Sequence, residues 1–426
     1  MLTSRRMLSL LLAAAAVIAI LSGCYAAPVN EATEQGGETS GAIVTDSKIP
    51  VTTYPVPEEN IRTFGNMAAS ASTGGFWQWD TFFRPYIQAY DPVTRTTYVP
   101  CYQSGCRHND PTCNACFGDL QSLVEYRENY YAMVYTDDET ASALVTRPLS
   151  GGPLQILASW KPENEDEACR CVLRYVSFGK AYVTANRETY ALTEDGQLTT
   201  AAQESSLVSV DLQTGEISTI LENCDNYDLY GVWEDIAVLR VLEMAEDAPE
   251  FEDWLAQQPE GTAWDEYDRQ FVRYRFLTRN LQTGEESVLV DTSENFVMTV
   301  DPHRSWGQYA VYQVDRSLYV YDLEKQAAKK LFTYEQNWDF YNYMILDGHV
   351  IAICGTENVC RVWAIDIADE VVTELDTRSG NVMIFSTDYE CDGYFKGLLT
   401  EPSGNVEVCY ISKEDFYRSN YDGAFH

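Results

Sequence analysis

Four stretches decide the fold: Val208-Ser-Val-Asp-Leu-Gln-Thr-Gly-Glu-Ile217, Leu277-Thr-Arg-Asn-Leu-Gln-Thr-Gly-Glu-Glu286, Leu318-Tyr-Val-Tyr-Asp-Leu-Glu324 and Val362-Trp-Ala-Ile-Asp-Ile367. In each, a period-two apolar run meets an Asp or Asn. That side chain opens a turn by accepting hydrogen bonds from the backbone just beyond it, and a following Gly supplies positive φ. Alternation on both sides of such a turn makes a hairpin. Tyr90-Asp-Pro-Val-Thr-Arg95 is a further copy, and Leu149-Ser-Gly-Gly-Pro-Leu154 and Glu401-Pro-Ser-Gly-Asn405 are degenerate ones.

A second tight step precedes each hairpin, at Glu128-Asn129-Tyr130-Tyr131, Phe178-Gly179-Lys180, Trp306-Gly307-Gln308, Leu346-Asp347-Gly348-His349 and Cys391-Asp392-Gly393-Tyr394. Each unit therefore holds roughly four short antiparallel strands, and Asn280, Asp322 and Asp366 follow at intervals of 42 and 44 residues. One such sheet cannot bury both faces, so the units must stack, and radial stacking gives a β-propeller. The expected fold is all-β, a β-propeller of seven repeat units over 76–426. The alternative is six blades, with the first and last units sharing a closing blade; a solenoid or sandwich is the structural rival. Aromatic residues make up 13% of the chain, with 29 Tyr against 16 Phe, which suits half-buried pleated surfaces.

One insertion interrupts the pattern. Met244 to Gln270 carries nine acidic residues and, as its one basic residue, Arg269. Phe251, Trp254 and Leu255 recur at helical spacing, predicting a short amphipathic helix that packs onto the domain or forms a rim over a pocket.

The N-terminus predicts the compartment. Arg5 and Arg6 precede an apolar run from Met7 to Leu21, then Leu21-Ser22-Gly23-Cys24. This is a secretory signal over residues 1–23, too short for a comfortable membrane span. Leu-Ser-Gly-Cys resembles the lipobox of bacterial lipoproteins, which implies a diacylglyceryl group on Cys24 and cleavage before it. Residues 24–75, poor in aromatics, read as the lipidated Cys and a disordered tether. Residues 1–23 hold two Arg and no acid, so the chain after them carries 27 basic against 65 acidic side chains, a net −38. Such a surface repels phosphate backbones and anionic headgroups, which excludes nucleic acid as a partner and leaves the anchor as the membrane contact.

Of 12 cysteines, Cys24 is the anchor. Four more stand with a histidine in Cys101-x4-Cys106-x-His108-x4-Cys113-x2-Cys116. The spacing admits disulfides, expected outside the cell, a structural zinc held by thiolates and imidazole, or free or redox-active thiols. None of these is catalytic, because a closed site leaves no position for substrate. Cys354 and Cys360 flank a hairpin tip, Gly-Thr-Glu-Asn-Val, and read as a cross-strand pair. Cys169, Cys171, Cys224, Cys391 and Cys409 read equally as buried thiols.

This layout resembles a broad group of clostridial-type surface lipoproteins with a six- or seven-bladed propeller-like domain. The resemblance rests on the lipobox, on Tyr90-Asp-Pro-Val-Thr, and on Val99-Pro-Cys101, Cys106-Arg-His108 and Cys113-Asn-Ala115. It implies the fold and a place on the outer face of a Gram-positive cell membrane. The group carries an aromatic where this chain has Cys116.

Signatures of catalysis are thin. No Gly-x-Ser-x-Gly elbow, His-Glu-x-x-His or phosphate-cradling loop occurs, and His303, His349 and His426 stand isolated in sequence. The leading expectation is a non-catalytic binding or interaction platform for an extracellular protein or glycan, with Trp77, Trp79, Trp233, Trp254 and Trp264 as candidate stacking residues. The alternative is an extracellular propeller enzyme acting on glycans, a hydrolase or lyase. That reading predicts two or three carboxylates with a Tyr or His at the channel mouth.

Overall fold

The Asp and Asn turns form as their chemistry requires. Asp211 Oδ1 accepts from the backbone N–H of Gln213 and Thr214 at 2.9 and 2.8 Å, and Asn280 Oδ1 does the same for Gln282 and Thr283, both at 2.9 Å. Asp366 Oδ1 takes Ala368 and Asp369, at 2.9 and 2.8 Å. Four residues after each turn opener the backbone has positive φ: Arg95, Gly215, Gly284, Gln326 and Glu370. Two of the five are Gly, so the side-chain cap is the more constant part of the signal. Gly215 has a second reason to be Gly, because a Cβ there would lie 2.3 Å from the carbonyl oxygen of Leu157.

The computed structural model describes residues 43–45, 51–63, 67–70, 75–78, 86–109, 112–136, 139–193, 198–258, 267, 270–291, 305–314, 316–334, 339–356, 359–379, 384–391, 393–400 and 406–426. Among these the fold is all-β, a β-propeller, with seven sheets. The first holds Met67–Ser70, Gly75–Gln78, Gln88–Asp91 and Thr96–Tyr98. The second holds Asp119–Tyr126, Asn129–Thr136, Ala141–Pro148 and Gln155–Trp160. The third is built on the long hairpin Lys180–Leu192 and Leu198–Asp211, between Glu167–Ser177 and Ile217–Glu222. The fourth runs Tyr227–Trp233, Ile236–Met244, Val272–Asn280, Glu286–Asp291, and the fifth Ser305–Trp306, Tyr309–Val314, Ser317–Asp322, Ala327–Thr333. The sixth comprises Asp339–Leu346, His349–Thr356, Val359–Asp366 and Val371–Ser379, and the seventh Ile384–Cys391, Tyr394–Thr400 and Val406–Ser412.

Each neighbouring pair of sheets shares an apolar cluster, which is why the units stack. Val311, Val320 and Phe332 of the fifth sheet pack with Tyr343, Val350 and Trp363 of the sixth. Tyr230 and Phe276 of the fourth meet Ala310 and Tyr312 of the fifth. Burying one such side chain contributes about 1.5–3 kcal/mol, so each interface outweighs its hydrogen-bonded edges as a source of stability. The ring closes where Phe76 of the first sheet packs on Cys391 and Tyr410 of the seventh, with the Tyr90 and Tyr410 rings stacked at 4.1 Å.

Residues 51–63 depart from expectation. They belong to the stretch expected to be tether, yet they lie along one face of the ring. Ile61–Arg62 adds to the edge of Glu167–Ser177, pairing with Val176 and Tyr175. Asn60, buried and at φ 58°, accepts from the Val232 N–H at 2.8 Å and donates to the Gly307 carbonyl at 2.6 Å. Glu59 accepts from Tyr126, Arg127 and the N–H of Phe178. The composition of the segment resembles a linker; a few polar anchors order it. Ile43–Thr45 likewise pairs, parallel, with Val371–Thr373. Ordered strands thus begin before Phe76. The signal segment and Cys24 lie outside the described residues, among which no helix is long and apolar enough to cross a membrane.

The contacts of residues 51–63 also sort the loops. They fall on the turns between first and second strands (Arg127, Phe178, Gly307, Asp347) and on Asp366, where a third strand ends. Strand alternation puts the second-to-third turns and the connections between sheets on the opposite face. That face carries the Cys101–Cys116 connection, the distal half of the third sheet's hairpin and the 244–270 insertion. The helix in the insertion forms at Phe251–Leu255, and Trp254 is buried against Phe251, Tyr267 and Phe271. Trp254 is therefore a packing residue. Trp79 and Trp264, and the side chain of Trp77, lie outside the described residues.

Candidate metal centre and buried carboxylate cluster

Residues 101–116 link the first sheet to the second. Positive φ at Gly105 (73°) and His108 (55°) folds the connection back on itself. The ligand atoms of Cys101, Cys106, His108 and Cys113 then all lie within 4.8 Å of one another. His108 Nδ1 is 3.3 Å from Cys113 Sγ. The backbone N–H of His108 donates to Cys106 Sγ and that of Ala115 to Cys113 Sγ, each at 3.4 Å. Burial pushes the Cys113 thiol up to about 12. Cys101 also feels burial, but the Gln103 amide, the Cys113 thiol and the Asn114 amide outweigh it and hold its thiol below the usual range.

Cys116 does not join the four. It is buried, and its Sγ faces the His108 carbonyl at 3.8 Å. The sequence motif thus separates into four converging ligand types and one small core residue. Cys101, Cys106 and Cys113 are free thiols, as are Cys169, Cys171, Cys224 and Cys409. Arg147 is fully buried beneath the connection, donating to the Cys113 and Cys116 carbonyls and lying 5.2 Å from the Phe117 ring. The expected pair Cys354 and Cys360 is offset: Cys354 stands opposite Arg361 and Cys360 opposite Gly355. A one-residue slip in register removes direct cross-strand pairing, and the side chains of both cysteines lie outside the described residues.

A second constellation sits under residues 51–63. Lys413 opens the short helix Lys413–Tyr417, whose start is capped by Ser412. Its Nζ donates to Asp347 Oδ1 at 2.8 Å and Glu390 Oε2 at 2.9 Å, and all three side chains are buried. Asp347 also accepts from the Tyr417 hydroxyl at 2.8 Å and from the Tyr54 N–H at 2.7 Å. Trp306 Nε1 donates to Glu390 Oε1 at 2.7 Å. His349 Nδ1 bonds the Asp347 carbonyl, and its Nε2 lies 3.5 Å from Asp366 Oδ2. Asp366 completes the group by accepting from the Tyr54 hydroxyl at 2.7 Å.

Electrostatics follow from burial. Desolvation raises the Glu390 carboxyl, against the pull of Lys413, and lowers His349. Lys413 would be lowered by burial, but Glu390 and Asp347 outweigh that and raise it. Burial, then the Asp366 hydrogen bond, raises the Tyr54 hydroxyl. His349, isolated in sequence, is therefore part of a network drawn from residues 54, 306, 347–349, 366, 390 and 413–417. The available sequence signal was the Leu346-Asp-Gly-His turn; nothing marked Glu390 or Lys413. Gly348 is needed there, with φ 68° and a Cβ position 2.6 Å from the Tyr54 ring. His426, also isolated in sequence, closes the chain against the Val408 carbonyl and Glu407; His303 lies outside the described residues.

No protein-family model matches the chain, and no curated protein does. Solved structures do. An oligogalacturonate lyase in complex with manganese is 13% identical, with a TM-score of 0.37, over 84% of this chain and 83% of that one. The β-propeller domain of the Trilobed protease from Pyrococcus furiosus, with an open velcro topology, is 11% identical at a TM-score of 0.43, over 84% and 95%. A Mycobacterium tuberculosis puromycin-hydrolyzing peptidase is 11% identical at a TM-score of 0.48, over 88% of this chain and 56% of that one. These likenesses are to a lyase, the β-propeller domain of a protease and a peptidase, and the β-propeller itself is read from the stacked sheets of this chain.

Proposed function

We propose that this chain is a lipid-anchored, extracytoplasmic propeller that serves as a binding platform for a glycan or protein, working through the face that bears its insertions. The observation that carries this reading is the asymmetry of the ring. Residues 51–63 occupy one face, pinned by Tyr54, Glu59, Asn60 and Ile61. The long hairpin, the cysteine connection and the acidic insertion all decorate the other. A rigid scaffold with adaptable loops on one face is the usual arrangement of a binding surface. Leu192 and Leu198 near the hairpin's end are 72% and 51% exposed, leaving apolar surface there for a partner. The test is a screen of the full chain against glycans and cell-wall fragments, followed by hydrogen exchange with the captured ligand. Protection should map to 101–116, 186–204 and 244–270. Protection confined to 51–63 and the turns beneath it would overturn the reading.

The second reading, a propeller enzyme acting on glycans, is favoured by the gathering of Asp347, Asp366 and Glu390 with His349, Tyr54 and Tyr417. Weighing against it, these carboxylates already accept from fixed protein donors, and Tyr54 covers them. Turnover of any glycan in the screen, lost in Glu390→Gln, would favour this reading over the platform.

A further inference from the structure

We propose that Cys101, Cys106, His108 and Cys113 bind one zinc ion in a closed tetrahedral site that staples the first sheet to the second, with Cys116 excluded from coordination. The proposal does not depend on the function assigned above.

Geometry selects the ligands. Zinc bonds to sulfur at about 2.3 Å and to imidazole nitrogen at about 2.0–2.1 Å, so tetrahedral ligand atoms stand roughly 3.5–3.8 Å apart. The four atoms here fall within 4.8 Å of each other, and the His108 Nδ1 to Cys113 Sγ distance is 3.3 Å. A disulfide would use two of the three sulfurs and strand the third beside an imidazole; a metal uses all four groups. The surroundings fit a metal as well. Backbone N–H groups already point at two of the sulfurs, as the outer shell of thiolate sites requires. Zinc with three thiolates and a neutral imidazole carries one net negative charge. The buried guanidinium of Arg147, bonded to the Cys113 and Cys116 carbonyls, brings one positive charge to offset it.

The fold gives the ion a task. Strands of the first sheet are three or four residues long, the shortest set among the four-stranded sheets that share a core with a neighbour on each side. The core between it and the second sheet is completed from the connection itself, by Cys113, Ala115, Cys116 and Phe117 packed with Ile87, Ala89 and Leu123. Ile87 hydrogen-bonds Ala115, so the connection acts as a piece of the sheet interface. Four protein ligands leave no open position, so the ion is structural.

The experiment measures metal content by mass spectrometry on the full chain, purified reduced and without chelator, together with cobalt substitution. One zinc per chain is expected. Cobalt should give the intense visible bands of tetrahedral coordination and a sulfur-to-cobalt charge-transfer band. Cys106→Ser and His108→Ala should lose the metal, and Cys116→Ser should retain it. A wild-type chain that takes up neither metal overturns the proposal, as do octahedral cobalt spectra, a disulfide among these cysteines in a chain isolated without reductant, or loss of metal in Cys116→Ser equal to that in Cys106→Ser. Should the Cys106 and His108 variants fail to fold, stoichiometry and cobalt spectrum of the wild-type chain decide.

Discussion

Replacing Lys413 by Met tests whether the cluster under residues 51–63 is a structural clamp. Met keeps most of the buried stem and removes the charge. Asp347 is 0% exposed and Glu390 6%, so both carboxylates lose a cation at 2.8 and 2.9 Å with no water to replace it. Deleting one partner of a buried ion pair costs about 3–5 kcal/mol. Asp347 keeps the Tyr54 and Tyr417 donors, and Glu390 keeps Trp306, which places the expectation near the lower end. Burial already raises the Glu390 carboxyl, and loss of Lys413 raises it further. A carboxyl whose folded pKa lies above its unfolded value binds its proton preferentially in the folded state. Its contribution to stability therefore falls as pH rises from the unfolded value near 4.5 through the folded one. The deficit of Lys413→Met should accordingly be about 3 kcal/mol at pH 7 and shrink toward pH 5. In Lys413→Met with Glu390→Gln, part of the loss should return, a coupling of roughly 0.5–3 kcal/mol. Urea titration followed by tryptophan fluorescence, with Trp306 inside the cluster as reporter, gives both numbers. A loss below about 1 kcal/mol at pH 7, or one that grows on acidification, would refute the clamp.

Further outcomes follow from the same contacts. Asn60→Ala orphans the buried Val232 N–H and Gly307 carbonyl, costs about 1–3 kcal/mol, and should show first as faster proteolysis within 51–63. Gly348→Ala drives a methyl into the Tyr54 ring and should release the same segment, whereas Tyr54→Phe, losing a single hydroxyl bond to Asp366, should cost about 1 kcal/mol in a denaturation midpoint. The N–H groups of Thr214 and Gln213 hold the Asp211 carboxyl below its usual range, so its contribution is present above pH ~4 and lost as pH falls further; Asp211→Asn should keep the turn and lose that acid dependence, read from Tm against pH. Cys24→Ser should move the full chain from the detergent phase to the aqueous phase in a two-phase partition, with no change in its circular dichroism.

The turn openers show how far local chemistry reaches. Asp91, Asp211, Asn280, Asp322 and Asp366 each capture N–H groups two or three residues on, so a four-stranded repeat is legible before any tertiary contact is known. The same locality made Cys101, Cys106, His108 and Cys113 visible as one group, since all lie within 13 residues. What spacing left open was which of five would converge; four ligand atoms gather, and Cys116 Sγ faces the His108 carbonyl instead.

Long-range chemistry was not legible in this way. Tyr54 and Asp366 are 312 positions apart, and Lys413 and Asp347 are 66 apart, with no shared period to link them. Residues 51–63 look like linker because order there comes from a few hydrogen bonds and one edge pairing, and none of these requires apolar periodicity. The sequence by itself determined the strands, their turns and the repeat, because those depend on side-chain alternation and on bonds between near neighbours. The tertiary structure alone decided which face residues 51–63 occupy, which histidine is buried among acids, and which cysteine stands apart, because stacking brings the turns of successive sheets together irrespective of their distance along the chain.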